Sequence, residues 1–351
     1  MWIVAGLVLT GVVLIGWAAR FCVVFPRQPF TGPVADLDET GRALGLRLEA
    51  HIRAVASKPH NLDYPKALEQ AAVYIEATLG GLGYTPVCQR YRVGEAEVRN
   101  IEVVIEPSST APSEAATLVI GAHYDAPDDS PGANDNGTGV AGLLELARAL
   151  RGAKTDQRLR LVFFVNEEYP YSKTPAMGSY QHAKSLKDRG ERVSGMLALE
   201  TLGHFSDVPG SQRFPFPFGL LYPKTGNFVA FVSVLGGRAM VRNCVAAFRA
   251  SARFPAIGAV APAFVEGADL SDHWAYDHFG FPACMVTDTA PFRNPFYHQP
   301  YDTPDTVDYP NLARVTIGLE AMIRRMAGAG SITVTSPDAG PASGRHPSLA
   351  G

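Results

Sequence analysis

Three short apolar runs of the chain end on histidine or acid. Residues 117–122 lead into His123-Tyr-Asp125, residues 159–166 lead into Glu167-Glu168, and residues 196–199 lead into Glu200. Two further clusters stand between and after them. One is the Gly-rich turn Pro131-Gly-Ala-Asn-Asp135-Asn-Gly-Thr-Gly139, and the other is Tyr297-His298, followed by Asp302 and Asp305.

Each cluster alone has an ordinary reading. His123 reads as a satisfied surface histidine, the Asn134–Asn136 stretch as a helix N-cap, Glu167-Glu168 as an acidic loop, and Glu200 and His298 as loop groups. Each also has a chemical reading. A histidine beside a carboxylate suits a metal ligand whose tautomer is fixed by its neighbour. Two adjacent carboxylates repel and lose hydration, so a positive partner is expected near Glu167 and Glu168. Adjacent extended residues point in different directions. One glutamate can then bind metal while the other faces a bound water as general base. Taken together, two histidines and three acids form a mixed N and O donor set. Such a set suits two zinc ions, roughly 3.5–4 Å apart, sharing one carboxylate. It would polarise a carbonyl and lower the pKa of a water.

The elements that must carry these residues alternate. Short apolar strands are expected at 98–106, 117–122, 159–166 and 196–199, with helical patterns at 40–56, 65–81, 137–150 and 177–189 between and around them. Later come strands at 218–222, 257–264 and 283–287, and helices at 241–253 and 309–326. This order predicts an α/β fold, a mixed and largely parallel central sheet with helices on both faces. Open sheets of this kind hold ligands at the carboxyl ends of their strands, which is where the acids and histidines fall.

The ordered set H-Y-D, G-A-N-D-N-G-T-G, N-E-E, L-E-T and Y-H-x3-D-T-x-D resembles the M28 family of zinc aminopeptidases, which also has glutamate carboxypeptidase-like and glutaminyl cyclase-like members. The resemblance covers roughly residues 40–325 and implies a zinc exopeptidase (phosphorylase/hydrolase-like) fold. It implies that His123, Asp135 and Glu200 hold one zinc, that Asp135 bridges, and that Glu168 and His298 complete the second site. It implies Glu167 as general base, Asp125 as the residue orienting His123, and a peptide as substrate. The fourth ligand is often Asp in the family, whereas here it is Glu200 on a longer arm. Ser271-Asp272-His273 resembles a segment lining the site and is given a supporting role. Rival readings are a single-zinc glutaminyl cyclase-like cyclotransferase, an exopeptidase for C-termini or acidic dipeptides using a basic pocket, and an inactive receptor-like ectodomain. For the second, Arg213, Lys224 and Arg293 are the candidate cations. The stretches 214–218 and 169–175 are expected to shape the substrate pocket.

The remaining composition bounds the context. The chain has 351 residues, 46% hydrophobic and 19% charged, with a formal net charge of −3. No basic run or basic stripe with interleaved aromatics points to nucleic acid. None of the four cysteines forms a C-x-x-C pair. Cys88 and Cys284 read as buried free thiols, with a disulfide as the alternative. Residues 2–19 carry no charge, and the length suits a minimal membrane span. No basic n-region or small-x-small cleavage site marks a removable signal. The expected organisation is an anchor at 1–25, a linker at 26–39, the catalytic domain at 40–327 and a disordered tail at 328–351. Arg20 and Arg27 lean toward a cytoplasmic domain by the positive-inside tendency, but long domains translocate largely regardless of charge. A membrane-anchored enzyme with its domain in the periplasm or outside the cell is the working expectation, with orientation open.

Overall fold

The computed structural model describes residues 16, 20–108, 111–216 and 218–328. Eight strands form one sheet: β1 (Val87–Val93), β2 (Ala96–Ile105), β3 (Thr117–His123), β4 (Arg158–Phe164), β5 (Val193–Glu200), β6 (Val229–Val234), β7 (Ala256–Ala261) and β8 (Ala283–Thr287). Their order across the sheet is β1-β2-β4-β3-β5-β8-β6-β7. The block β4-β3-β5-β8 is parallel throughout, as is β6 with β7. The pairs β1–β2, β2–β4 and β6–β8 are antiparallel. The mixed, largely parallel sheet expected from the alternation is therefore present.

Seven helices accompany the strands among the described residues: α1 (Glu39–Val55), α2 (Pro65–Gly81), α3 (Thr138–Leu150), α4 (Gly178–Asp188), α5 (Arg238–Ser251), α6 (His273–His278) and α7 (Tyr309–Met326). The period-2 alternation of the central strands sorts side chains to two cores. Leu118, Ile120, Leu161, Phe163 and Leu197 face the larger core, which α1, α2, α3, α5 and α7 cover. Val119, Val162, Phe164, Met196 and Ala198 face the smaller one, where Ala183 and Leu186 of α4 and Ala275 and Tyr276 of α6 pack. Helices thus lie on both faces, and the central strands are buried along nearly their whole length.

Several local expectations are corrected. The 218–222 strand is a single 3₁₀ turn, Phe218–Leu220, because its aromatic rings pack on neighbouring elements and its backbone joins no sheet. The strand expected at 257–264 stops at Ala261, and Phe264 stands exposed in the following loop. Strand β6 was not expected. β1 is an edge strand without a fully buried residue, so its apolar alternation is weak. The 26–39 segment has no helix or strand before Glu39, as a linker should, but it is strapped to the domain. Arg249 donates to the carbonyls of Pro26 and Arg27, and Arg314 to that of Ala35. All four cysteines are free thiols. Cys284 is buried as expected, whereas Cys88 is half-buried and donates to Glu76 at 3.4 Å. No described helix is long and apolar enough to cross a membrane. The expected anchor (apart from Gly16 and residues 20–25) and the expected tail from 329 onward lie outside the described residues.

Candidate metal centre

The site forms where β3, β4 and β5 end. His123 is the last residue of β3 and Glu200 the last of β5, while Glu167 and Glu168 follow β4 by three and four residues. Parallel neighbours in register, with His123 opposite Phe164, bring these ends together. The Gly-rich turn after β3 contributes Asp135, and the loop before α7 contributes His298.

Two donor triads share Asp135. His123, Asp135 and Glu200 converge with ligand atoms within 4.8 Å of one another, and so do Asp135, Glu168 and His298. The two oxygens of Asp135 divide between the histidines: Oδ1 lies 3.4 Å from His123 Nε2, and Oδ2 lies 3.1 Å from His298 Nε2. Glu200 Oε2 is 3.2 Å from His123 Nε2, and Glu168 Oε2 is 3.7 Å from His298 Nε2. All five expected ligand residues are therefore brought together. Four are buried, whereas the His298 side chain is 39% exposed and forms the open edge. The Tyr297 ring stacks on it.

The Gly-rich turn resolves the choice between cap and ligand by dividing the work. Asn136 Oδ1 accepts the Gly139 N–H in the first turn of α3, and also that of Thr201. Asp135 is left for the cavity. Gly132 takes a positive φ of 66°, and a Cβ there would collide with the Asp135 carbonyl. At Gly139 a Cβ would come within 2.6 Å of the Leu199 carbonyl, so only glycine lets the turn close on β5.

Charge explains the expected need for a positive partner. Burial pushes the Glu200 carboxyl up to about 7, with Asp135 adding to the shift against the pull of His123. Burial likewise holds Glu167 and Glu168 well above the usual carboxylate range, reinforced by neighbouring acids. Burial would lower His123, but Glu200, Asp125 and Asp135 outweigh it and hold the imidazole well above its ordinary value. Asp135 feels burial too, yet His123 and His298 outweigh that and hold it below the usual range. Five acids and histidines packed this closely fit a divalent cation. Two atoms support that fit: His123 Nε2 and Asp135 Oδ1, both buried, have no hydrogen-bond partner, and they face each other.

Other groups surround the donor set. Asp125 Oδ1 lies 3.6 Å from His123 Nδ1. Its main-chain carbonyl lies 3.0 Å from His123 Nδ1, while its carboxylate accepts the N–H groups of Glu167 and Glu168 at 3.1 and 3.2 Å. Asp125 therefore orients the acids through their backbone as well as the imidazole. Ser271 donates to Glu200 Oε2 at 2.8 Å, a supporting role as expected. Asp272 is fully buried near Glu167, and neither of its oxygens has a hydrogen-bond partner. His273 faces away, toward the Ala268 carbonyl. Two positioning residues were not recognised as such. Asp302 accepts the N–H groups of Asn134 and Asp135, and Asp288 accepts from the Asn134 side chain and the His204 N–H. The Y-H-x3-D spacing carried Asp302 in view; nothing local marked Asp288.

Beside Glu200 opens an apolar pocket. Phe214, Phe218, Tyr222, Val232, Ala259 and Met285 are among its walls. The 214–218 stretch thus shapes it as expected, whereas 169–175 does not line it. No lysine or arginine lines it either. Arg293, the candidate cation, is buried between the Phe205 and Phe228 rings and donates to the Phe228 carbonyl.

The model of peptidase family M28 matches residues 100–323. The uncharacterized protein YfbL of Escherichia coli (strain K12) is 35% identical over 274 residues, 76% of this chain and 82% of that protein. A probable leucine aminopeptidase of Arthroderma otae is 29% identical over 228 residues, which span 60% of this chain and 54% of that protein. Among solved structures, the aminopeptidase from Aneurinibacillus sp. strain AM-1 superposes with a TM-score of 0.62 at 18% identity, over 84% of this chain and 96% of that one. Fimbriiglobus ruber glutaminyl cyclase superposes with a TM-score of 0.59 at 18% identity, over 86% of this chain and 99% of that one. The chain belongs to peptidase family M28 and is a peptide hydrolase by class.

Proposed function

We propose that this peptidase is a two-zinc aminopeptidase that removes apolar N-terminal residues from peptides. The observation that carries this reading is the pair of donor triads sharing Asp135, with the apolar pocket opening at Glu200. His123, Asp135 and Glu200 would hold one ion, and Asp135, Glu168 and His298 the other. Bound there, zinc would supply Lewis acidity to the scissile carbonyl and to the attacking water.

The chain's own residues do the rest. Glu167 is the general base: it takes a proton from the attacking water and returns it to the departing amine. Its carboxyl lies beside the donor set, 4.0 Å from His123 Nε2. Its backbone is fixed by Asp125 Oδ1. A cavity that favours the protonated acid suits a base that must hold a proton before passing it on. Phe214, Phe218 and Met285 would bury the side chain of the N-terminal residue and exclude water from it.

Zinc per chain by elemental mass spectrometry, measured with hydrolysis of leucyl and glutaminyl substrates, tests the reading. Two ions and release of leucine are expected. One ion, unchanged on adding zinc back, with ammonia released from N-terminal glutamine would replace it by the cyclotransferase. No bound zinc would leave a receptor-like protein.

We further propose that residues 2–19 tether the enzyme to a membrane, with the catalytic domain on the periplasmic or extracellular side. Composition supports the tether: eighteen residues without a charge. A chain released into the soluble fraction by an alkaline carbonate wash would defeat the tether.

A further inference from the structure

The residues that follow the uncharged stretch 2–19 pack against the cluster from which several walls of the apolar pocket are drawn. Residues 20–23 are helical. Val23 packs with Phe214, Phe218 and Tyr222 in one small core cluster. The Tyr222 hydroxyl reaches the Cys22 carbonyl at 3.3 Å and the Gly258 carbonyl at 3.0 Å. Phe214, Phe218 and Tyr222 are also pocket walls. Arg20 is only three helical steps from Val23, about 4.5 Å along the axis.

On its other side the same segment meets arginines. The Arg238 guanidinium lies 4.4 Å from the Phe21 ring centre and donates to the Phe21 and Val24 carbonyls. Arg20, Arg238 and Arg242 edge a surface groove with Val24, and no carboxylate lines it. Apolar side chains are exposed both on this segment and in the loop whose Tyr222 meets Cys22. Phe216 is 87% and Leu220 75% exposed, and Leu221 and Val24 are exposed as well. Exposed apolar side chains together with arginines, one of them stacked by its guanidinium on the Phe21 ring, are the composition of a face that sits at a lipid–water boundary. Guanidinium groups pair readily with phosphate, and a groove without carboxylates offers no competing partner.

We propose that this face, formed by Val24, Phe216, Leu220 and Leu221 with Arg20 and Arg242, rests in the headgroup layer of a bilayer containing anionic phospholipid. The inference rests on the tether reading, because residues 2–19 are what bring the bilayer to Arg20. The loop that walls the pocket then lies at the lipid surface, so the pocket opens beside the membrane.

Hydrogen exchange read by mass spectrometry on the full-length chain tests this. It is run in lipid nanodiscs of phosphatidylcholine with phosphatidylglycerol, in discs of phosphatidylcholine alone, and in detergent. Exchange in peptides covering 214–222 is expected to slow by about tenfold in the anionic discs. The double variant Arg20→Glu/Arg242→Glu is expected to abolish that slowing, with exchange in α7 unchanged as a control for folding. Equal exchange of 214–222 in all three settings, with residues 2–19 protected by lipid, overturns the docking and leaves the tether intact. Protection of 214–222 in detergent as well as in discs also overturns it, because the uncharged stretch itself would then cover the face. Residues 2–19 unprotected in every disc would strike the tether reading first, and the docking with it.

Discussion

Asp302 holds Asp135 by its backbone: one carboxylate oxygen accepts the Asp135 N–H at 3.0 Å while the other accepts that of Asn134 at 2.9 Å. The residue whose two oxygens face two histidines is thus fixed from a loop more than 160 positions away in sequence. Burial pushes the Asp302 carboxyl up to about 7, with the two N–H groups pulling the other way. Its grip therefore depends on a charge that the surroundings oppose. Asp302→Asn keeps the shape but replaces one acceptor by a donor facing an N–H. Zinc affinity is expected to fall by about 10–100-fold, as for other groups that orient ligands, while the melting temperature without metal changes little. Competition with a chromophoric chelator reads the affinity. Unchanged affinity would remove Asp302 from the support of Asp135.

Glu167 is separable from the ligands by a single substitution. Glu167→Gln keeps the Asp125 contact, since that bond is to the Glu167 main-chain N–H. Turnover of a leucyl substrate is expected to fall by about 10²–10⁴-fold, the usual contribution of a positioned base, with zinc content unchanged. Elemental analysis and kcat on the same preparation decide it. Turnover near that of the unaltered chain would remove Glu167 as the base, and loss of zinc would make it a ligand.

Three of the five ligands, His123, Glu168 and Glu200, were legible because they end or follow an apolar run and the parallel sheet joins those ends, while Asp135 and His298 stood out in a turn and a loop. What the sequence could not carry was contact between distant residues. Asp288 gave no local signal, yet it fixes Asn134 across 154 positions. Asp125 was read as the partner of the His123 ring because the two stand close in sequence; that its carboxylate also accepts the amides after β4 could not be read there. Aromatic and branched residues at 218–222 looked like a strand, but Phe218 and Tyr222 pack in a loop while Leu220 and Leu221 stand exposed. Strand β6 lay hidden between the Pro/Gly-rich loop and α5, and α6 is too short to show a helical period. The linker at 26–39 reads as loose by composition, and only the position of Arg249 on α5 reveals the contact.

Metal binding should depend on pH with a definite sign. The Glu200 carboxyl is pushed up to about 7 in the folded chain from the ordinary 4.5 of a glutamate, and Glu167 and Glu168 are raised as well. A raised folded value means that the metal-free fold binds protons which the unfolded chain has already released. That stabilisation is complete below about pH 4.5 and is lost as the pH rises through about 7. A cation needs the carboxylates, so its binding expels those protons. Affinity is expected to rise by about tenfold per pH unit for each proton displaced between pH 5 and 7. Calorimetry in two buffers of different ionisation enthalpy counts the protons. Affinity constant across that window, with no proton release, would contradict the picture of acids held protonated until metal enters.

The pocket makes a prediction about selectivity that is independent of the metals. Ala259 lies on β7 and is, with Phe218, Val232 and Met285, one of the walls of the pocket. Ala259→Phe would fill pocket space without touching any ligand. For an N-terminal leucine the lost burial should lower kcat/KM by about 10-fold or more, in the range one to two methylenes contribute to discrimination. An N-terminal alanine needs none of that space, so its kcat/KM should stay within about threefold, the difference being one of side-chain volume. The ratio of the two is the readout, because it cancels any loss of active enzyme. If leucine and alanine substrates decline together, the pocket does not receive the N-terminal side chain, and the selectivity of this peptidase must be sought on another wall of the site.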